Sequence, residues 1–140
     1  MQGGGEDTIL GTLHFGKKWP ENVKAGKEVH FPAALDGFHT YAIEWANDRI
    51  IWQVDGQTYA ERLNSEWWSS GAKVPGAPFD EEFHLILNLA IGGELAEERG
   101  VKGVFNQDFP KRFVIDWVRV WKKVANPVTA PAGQSNNRGQ

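Results

Sequence analysis

The segment at residues 83–91, Phe-His-Leu-Ile-Leu-Asn-Leu-Ala-Ile, constrains the fold more than any other part of the sequence. It is almost entirely apolar and stops at Gly92-Gly93, which predicts a β-strand. Side chains two residues apart share a face, so one face is wholly apolar: Phe83, Leu85, Leu87, Leu89 and Ile91. The other face carries Asn88 near its centre, and a buried amide needs a hydrogen-bonding partner or a ligand. We therefore expect a core strand between two sheets whose second face meets something polar.

The rest of the chain between residues 8 and 124 has the turn spacing of an all-β domain. Further strands are predicted at residues 8–15, 29–31, 38–45, 49–54, 57–62 and 111–122. Residues 46–48 and Asp55-Gly56 indicate tight turns between the middle strands, and the helical pattern at residues 94–99 is too short to matter. Residues 1–7 are predicted to be a flexible lead-in. Residues 125–140 are predicted to be disordered, because this polar tail cannot bury enough apolar surface to offset its ordering entropy.

Composition excludes several classes of function. Fifteen basic and 18 acidic residues give a net charge of −3, too mild for a nucleic acid or an anionic membrane to be the leading partner. The absence of Cys excludes disulfides and thiolate metal sites. No apolar run approaches the ~18 residues of a membrane span, and we expect no signal peptide after Met1. Seven Trp residues allow an aromatic ligand surface. Packing is nevertheless the better explanation for those on predicted strands and in the loop at residues 64–78, which are Trp45, Trp52, Trp117, Trp121, Trp67 and Trp68.

A set of motifs then runs in order along residues 8–122. They are Gly11-Thr12-Leu13-His14-Phe15-Gly16, Trp19-Pro20 with Asn22, Phe38-His39-Thr40-Tyr41, Glu44-Trp45, Trp52, Val54-Asp55-Gly56, Pro78-Phe79-Asp80, residues 83–93, Phe109-Pro110 and residues 115–121. Any one of them would be weak, but together, with this order and spacing, they resemble the laminarinase branch of glycoside hydrolase family 16. The resemblance covers essentially the whole ordered chain.

The resemblance implies a β-jelly-roll (concanavalin-like) sandwich with a concave glycan cleft. It also implies endo-hydrolysis of β-1,3-glucan with retention of configuration, and an extracellular location. The family's catalytic signature, Glu-x-Asp-x-x-Glu on a preceding strand, occurs nowhere in these 140 residues. We therefore expect the C-terminal half of a jelly roll at residues 8–124, completed by oligomerisation or strand exchange.

Retaining hydrolysis needs two carboxyl groups about 5–5.5 Å apart, one as nucleophile and one as acid/base. The sequence offers three groups of acidic residues as possible substitutes: Glu44 and Asp48; Asp80, Glu81 and Glu82; and Glu94, Glu97 and Glu98. Each group is better explained as solvated charge on a loop or face. We assign no catalytic residue, and we expect the chain to be inactive alone.

Three residues are predicted to bind substrate through the resemblance. His14 would lie in the cleft and hydrogen-bond a sugar hydroxyl, and Asn88 would face the same cleft, where its amide suits vicinal hydroxyls. Trp19 could stack on a pyranose ring. Each also has a structural explanation: a partly buried histidine at a strand end, an amide bonded within the sheet, and an indole that caps the sandwich. The residues Glu94-Leu95-Ala96 after Gly92-Gly93 depart from the Trp that many relatives place there.

Asp116 matches the family position whose carboxylate helps to bind a structural Ca²⁺. One carboxylate does not make a calcium site, because the ion takes six to eight oxygen ligands, and the family's other ligands come largely from the missing half. No cofactor is required on this basis, and Asp116 stands as a calcium-ligand prediction only.

Half of a sandwich would expose strand edges and an apolar face, which drive association. We therefore expect an obligate homo-oligomer. Three functions stay open: an enzyme fragment of β-1,3-glucanase descent, a non-catalytic β-1,3-glucan-binding module, and a scaffold that only self-assembles. A lectin-like sandwich outside the family is the remaining alternative.

Overall fold

The computed structural model of the chain describes residues 7–32, 37–72, 74–95, 103–104 and 109–124. Within them lie five strands and one short 3-10 helix at Asn64–Glu66, in the order β1 Thr8–Phe15, β2 Val23–His30, β3 Tyr41–Trp45, β4 Arg49–Val54 and β5 Gln57–Leu63. Strands β1 and β2 form one antiparallel sheet, and β3, β4 and β5 form another in that order. The predicted all-β class is confirmed.

The chain divides into two units, residues 1–107 and residues 108–140. All five strands belong to the first unit. In the second unit the described residues are 109–124, where the Arg119 guanidinium lies 4.6 Å from the centre of the Trp117 ring. The predicted lead-in and tail fall, apart from Asp7, outside the described residues.

The turns of the three-stranded sheet follow the sequence closely. Asp55 and Gly56 both have positive φ, 48° and 77°, which a two-residue turn between twisted strands requires. The turn before β4 is closed by reciprocal backbone bonds between Ala46 and Arg49. Strand β3 begins at Tyr41 rather than at residue 38, because Asp55 exchanges hydrogen bonds with the backbone of Thr40 and holds that segment as part of the turn.

The core lies between the two sheets of the first unit. It joins Leu13 and Phe15 from β1 to residues of β4, β5 and the loop that follows: Ile50, Trp52, Ala60 and Trp67. Alternation along β1 explains the arrangement, because Ile9, Gly11, Leu13 and Phe15 are buried while the residues between them are not. Gly11 lies directly over the Trp52 indole, where an added Cβ would come within 2.8 Å of Cγ.

Two predicted strands are not strands in the structure. Neither residues 83–91 nor residues 111–122 pair with a neighbour in the described part of the chain. A strand satisfies its backbone groups by pairing, and among the described residues no paired strand covers this alternating row, although the Phe83 ring contacts those of Trp45 and Phe79. The predicted core face of residues 83–91 is accordingly 47–66 % exposed.

Two smaller differences concern β2 and the tryptophans. Strand β2 is longer than the predicted 29–31, since it pairs along the full length of β1 despite its charged composition. Four Trp residues on predicted strands were interpreted as core. Only Trp52 is buried, whereas Trp45, Trp117 and Trp121 are 42–73 % exposed.

Candidate functional site

The outer face of the β1–β2 sheet is open and mostly polar. On β1 it carries Thr8, Leu10, Thr12 and His14. The antiparallel register sets His30, Glu28, Gly26 and Lys24 directly opposite them. Gly26 is required there, because an added Cβ would lie 2.7 Å from Thr12 Oγ1 and closer still to the Gly11 carbonyl oxygen. The two strands therefore form a flat strip with His14 at one end.

His14 is held from the side by the turn that joins the two strands. The Asn22 side chain contributes Nδ2 at 3.1 Å from His14 Nδ1, and Asn22 is half-buried while the imidazole is exposed. His14 also lines a cavity of about 280 Å³. The polar side chains around that cavity are His14, Lys17, Lys18, Ser69 and Ser70.

A long loop after β5 forms the far wall of this cavity. It is fixed to the end of β1 by two backbone bonds, Gly16 N–H to Trp68 O at 2.9 Å and Ser70 N–H to Gly16 O at 2.8 Å. Gly16 has φ +89°, a left-handed conformation that favours glycine. A second cavity of about 470 Å³ lies under the same loop, lined by Trp67, Trp68 and Ser69 among others. Ser69 lines both cavities.

The two Trp residues of this loop behave differently, although packing was expected for both. Trp67 is buried at 6 % exposure, and its Nε1–H donates to the Gly76 carbonyl at 2.9 Å. Trp68 is 47 % exposed. The loop is therefore anchored by one indole and presents the other to solvent.

The three predicted substrate-binding residues are not assembled into one site. Trp19 is 85 % exposed, and Asn88 is exposed. Neither lines the cavity at His14. The argument that Asn88 needs a partner assumed a buried strand, and residues 83–91 are not one in this structure. The roles of His14, Trp19 and Asn88 in binding stay predictions.

Of the carboxylates considered as substitutes for a catalytic pair, Glu97 and Glu98 lie outside the described residues, and the others do not line the cavity at His14. Glu44 accepts a hydrogen bond from Gln53 at 2.9 Å on the outer face of the second sheet, and Asp48 is paired with Arg49. No carboxylate of the described residues lines the cavity at His14.

The calcium prediction finds no supporting cluster. In the described ranges no group of three or more His, Cys, Asp or Glu side chains could hold a metal ion. Asp116 is exposed in the second unit. The role of Asp116 as a calcium ligand stays a prediction.

Sequence reasoning missed two polar contacts. Asn22 follows Trp19-Pro20 in one of the family motifs, but its contact with His14 depends on the geometry of the turn. His39 Nδ1 lies 2.8 Å from Asp55 Oδ2, and the Thr40 N–H, with His39, lowers the pKa of Asp55 below its ordinary value. Burial, and then the charge of Asp55, raises the pKa of Tyr41. The contact between His39 and Asp55 stabilises the β3–β4 sheet at the end where β3 begins.

Comparison with known proteins gives consistent matches. The family model for glycosyl hydrolases family 16 matches residues 8–119. The chain is 39 % identical over 120 residues to a glucan endo-1,3-beta-glucosidase A1 from Niallia circulans, covering 83 % of this chain and 17 % of that protein. It is 37 % identical over 120 residues to a beta-glucanase from Rhodothermus marinus, covering 84 % of this chain and 41 % of that protein.

A third relative is a beta-1,3-glucan-binding protein from Penaeus monodon, 34 % identical over 100 residues, covering 59 % of this chain and 27 % of that protein. The chain thus spans less than half the length of each of these relatives. No solved structure matches. No helix in the described part of the chain is long and apolar enough to cross a membrane.

Proposed function

Because the chain belongs to glycosyl hydrolase family 16, we propose that it is the glycan-binding, C-terminal part of a laminarinase-like domain that takes β-1,3-glucan. The observation that carries the proposal is the His14 cavity at the end of an open, polar strand face, inside the part of the chain that matches the family. Relatives named as a glucan endo-1,3-beta-glucosidase and as a beta-1,3-glucan-binding protein support the choice of glycan. The same kinship leads us to propose an extracellular location.

Binding would use hydrogen bonds and stacking, with Lys17 and Lys18 as additional donors at the cavity. The cavity offers an imidazole and two serine hydroxyls, at His14, Ser69 and Ser70, and these groups match the oxygens of a pyranose. Trp19 would add an aromatic platform, since its indole is almost fully exposed. Asn88 would contribute its amide to a neighbouring sugar.

Hydrolysis would require carboxylates that the described part of the chain does not bring to the cavity. A retaining mechanism uses two carboxyl groups on opposite sides of the glycosidic bond. The chain contains no Glu-x-Asp-x-x-Glu spacing, and the His14 cavity is lined by no acidic side chain among the described residues. We therefore propose that this chain binds β-1,3-glucan but does not hydrolyse it by itself.

Laminarin titration followed by intrinsic Trp fluorescence tests the binding half of the proposal. His14→Ala should weaken binding, whereas His84→Ala, an exposed imidazole that does not line the cavity, should not. Equal affinity of wild type and His14→Ala would contradict the proposed site. Reducing-sugar release from laminarin tests the other half, and sustained turnover by the purified chain would refute it.

A second candidate function, self-assembly, is favoured by a separate observation. Residues 83–91 expose a row of apolar side chains with which no strand of the described residues pairs, among them Leu85 and Leu87 at 66 % and 56 % exposure. We propose that a second copy of the chain covers this row, because its alternating pattern suits pairing with a strand. In sedimentation experiments, Leu85→Lys with Leu87→Lys should yield monomer. Leu63→Lys, at a similarly exposed position on β5, should leave the oligomer intact. A monomeric wild type would refute this.

A further inference from the structure

We propose that Asn22 is a positioning residue that holds His14 in one tautomer, so that the imidazole presents its Nε2–H to the cavity. The glycan part of this inference rests on the function proposed above. The tautomer itself does not, because it follows from a contact inside the protein. Nothing in the family match assigns a role to Asn22.

The contact between Asn22 and His14 determines which ring nitrogen of His14 carries the proton. Asn22 precedes the first residue of β2, and Val23 pairs with Phe15, so the turn brings Asn22 back beside His14. Its Nδ2 is 3.1 Å from His14 Nδ1. An amide NH₂ group can only donate, and a neutral imidazole carries one N–H. Nδ1 must therefore accept, which puts the ring proton on Nε2.

The fixed tautomer decides what the cavity can recognise. Lys17 and Lys18 can only donate, and Lys17 is also paired with Glu21 at 2.9 Å. Ser69 Oγ accepts from the Gly71 N–H at 3.1 Å, which leaves its hydroxyl proton to donate. With Nε2–H added, the cavity presents mainly donors. The sugar group that fits is an acceptor oxygen, such as a ring oxygen or a glycosidic oxygen.

The first test reads the tautomer directly. Two-bond ¹H–¹⁵N correlation spectra of the histidine rings, recorded where the imidazoles are neutral, distinguish Nε2–H from Nδ1–H. His14→Gln identifies the signal among the four histidines. We expect Nε2–H in the wild type, a mixture in Asn22→Ala, and Nδ1–H in Asn22→Asp, whose carboxylate only accepts. The inference is overturned if the wild-type ring carries Nδ1–H, as it would beside an amide of opposite orientation. It is also overturned if the tautomer of His14 is unchanged in Asn22→Ala.

The second test links the tautomer to binding of laminari-oligosaccharides. Losing one oriented hydrogen bond should weaken binding about three- to tenfold in Asn22→Ala, and Asn22→Asp should be weaker still because it fixes the wrong tautomer. A residue that only supported the turn would affect both variants alike, so equal affinities overturn the positioning role. Urea midpoints show that both variants are folded. If the wild type binds no oligosaccharide, the proposed function falls, while the spectra still decide the tautomer.

Discussion

Gly11→Ala tests whether the open strand face is held in place by the packing beneath it. Gly11 is buried on β1 directly over Trp52. A Cβ at this position would lie 2.8 Å from Trp52 Cγ, 2.9 Å from Cδ2 and 3.0 Å from Cδ1. Real Cβ atoms do not come so near ring carbons, so the indole or the strand has to move. Because Trp52 is itself 6 % exposed and surrounded by core residues, the indole has little room.

The magnitude follows from two opposing effects. Overpacking a well-filled core costs about 1–3 kcal/mol. Removing the flexibility of glycine from the unfolded chain stabilises by about 0.4–1 kcal/mol. Steric overlap is the larger effect, and the net loss in the free energy of unfolding should be about 1–2 kcal/mol. With a urea m-value of about 1–3 kcal/mol/M, the midpoint should fall by roughly 0.3–2 M.

Urea unfolding monitored by Trp fluorescence provides the assay, at one fixed protein concentration because association shifts apparent stability. Gly71→Ala is the matched control, since the nearest atom to its added Cβ is Ser69 Oγ at an ordinary 3.7 Å. That variant should keep the wild-type midpoint or raise it slightly. A Gly11→Ala midpoint at or above wild type would refute the packing argument. An equal fall in both variants would show that the effect comes from the backbone and not from Trp52.

Three further predictions concern other contacts. Arg62→Met should lower the free energy of unfolding by about 1–2 kcal/mol in the same urea assay. The substitution removes the 2.9 Å hydrogen bond from Arg62 Nη2 to the Gly26 carbonyl, which connects β5 to β2. Arg62→Lys should show the same loss of stability, since one ammonium cannot reproduce the guanidinium geometry. The pKa of Asp55 lies below its ordinary 3.8, so its charge stabilises the fold fully above that pH and the contribution is lost as pH falls through the lowered pKa. Asp55→Asn should therefore flatten the acid decline of the urea midpoint below about pH 4, and an unchanged decline would refute this. Trp19→Ala should weaken laminarin binding about two- to tenfold, if stacking contributes the ~0.5–1.5 kcal/mol typical of aromatic contacts; unchanged affinity in calorimetry would exclude the platform.

The elements that the sequence predicted well are those decided by local chemistry. Asp55-Gly56 occupies a turn that needs positive φ at both positions, so β4 and β5 could be placed within a residue of their observed ends. The alternation of β1 likewise accounts for its one buried face, because its apolar residues have a facing sheet to pack against. In these cases a short stretch of sequence contains the whole physical cause.

Residues 83–91 show why the same reasoning failed elsewhere. Their alternation is as regular as that of β1, and it predicted a core strand. Alternation states only which side chains share a face; it does not supply the strand that pairs with the backbone or the sheet that covers the side chains. In the described structure neither is present, and Leu85 and Leu87 stay exposed. Pairing is a non-local property, so this pattern predicts a need for a partner more firmly than it predicts burial.

The candidate site depends both on local sequence and on non-local contacts. That His14 points outward follows from the inward positions of Leu13 and Phe15 on either side of it. Its surroundings do not follow from β1 at all, because Asn22 arrives through the turn and Ser69 through a loop more than 50 residues away. The loop is fixed at the strand end by hydrogen bonds to both backbone groups of Gly16, whose left-handed conformation sets their direction. A side chain at Gly16 would also meet Trp68, 3.1 Å from Cζ2. Gly16, which ends the His14 motif, therefore allows the loop to pack at the end of β1 and to form the cavity that His14 lines.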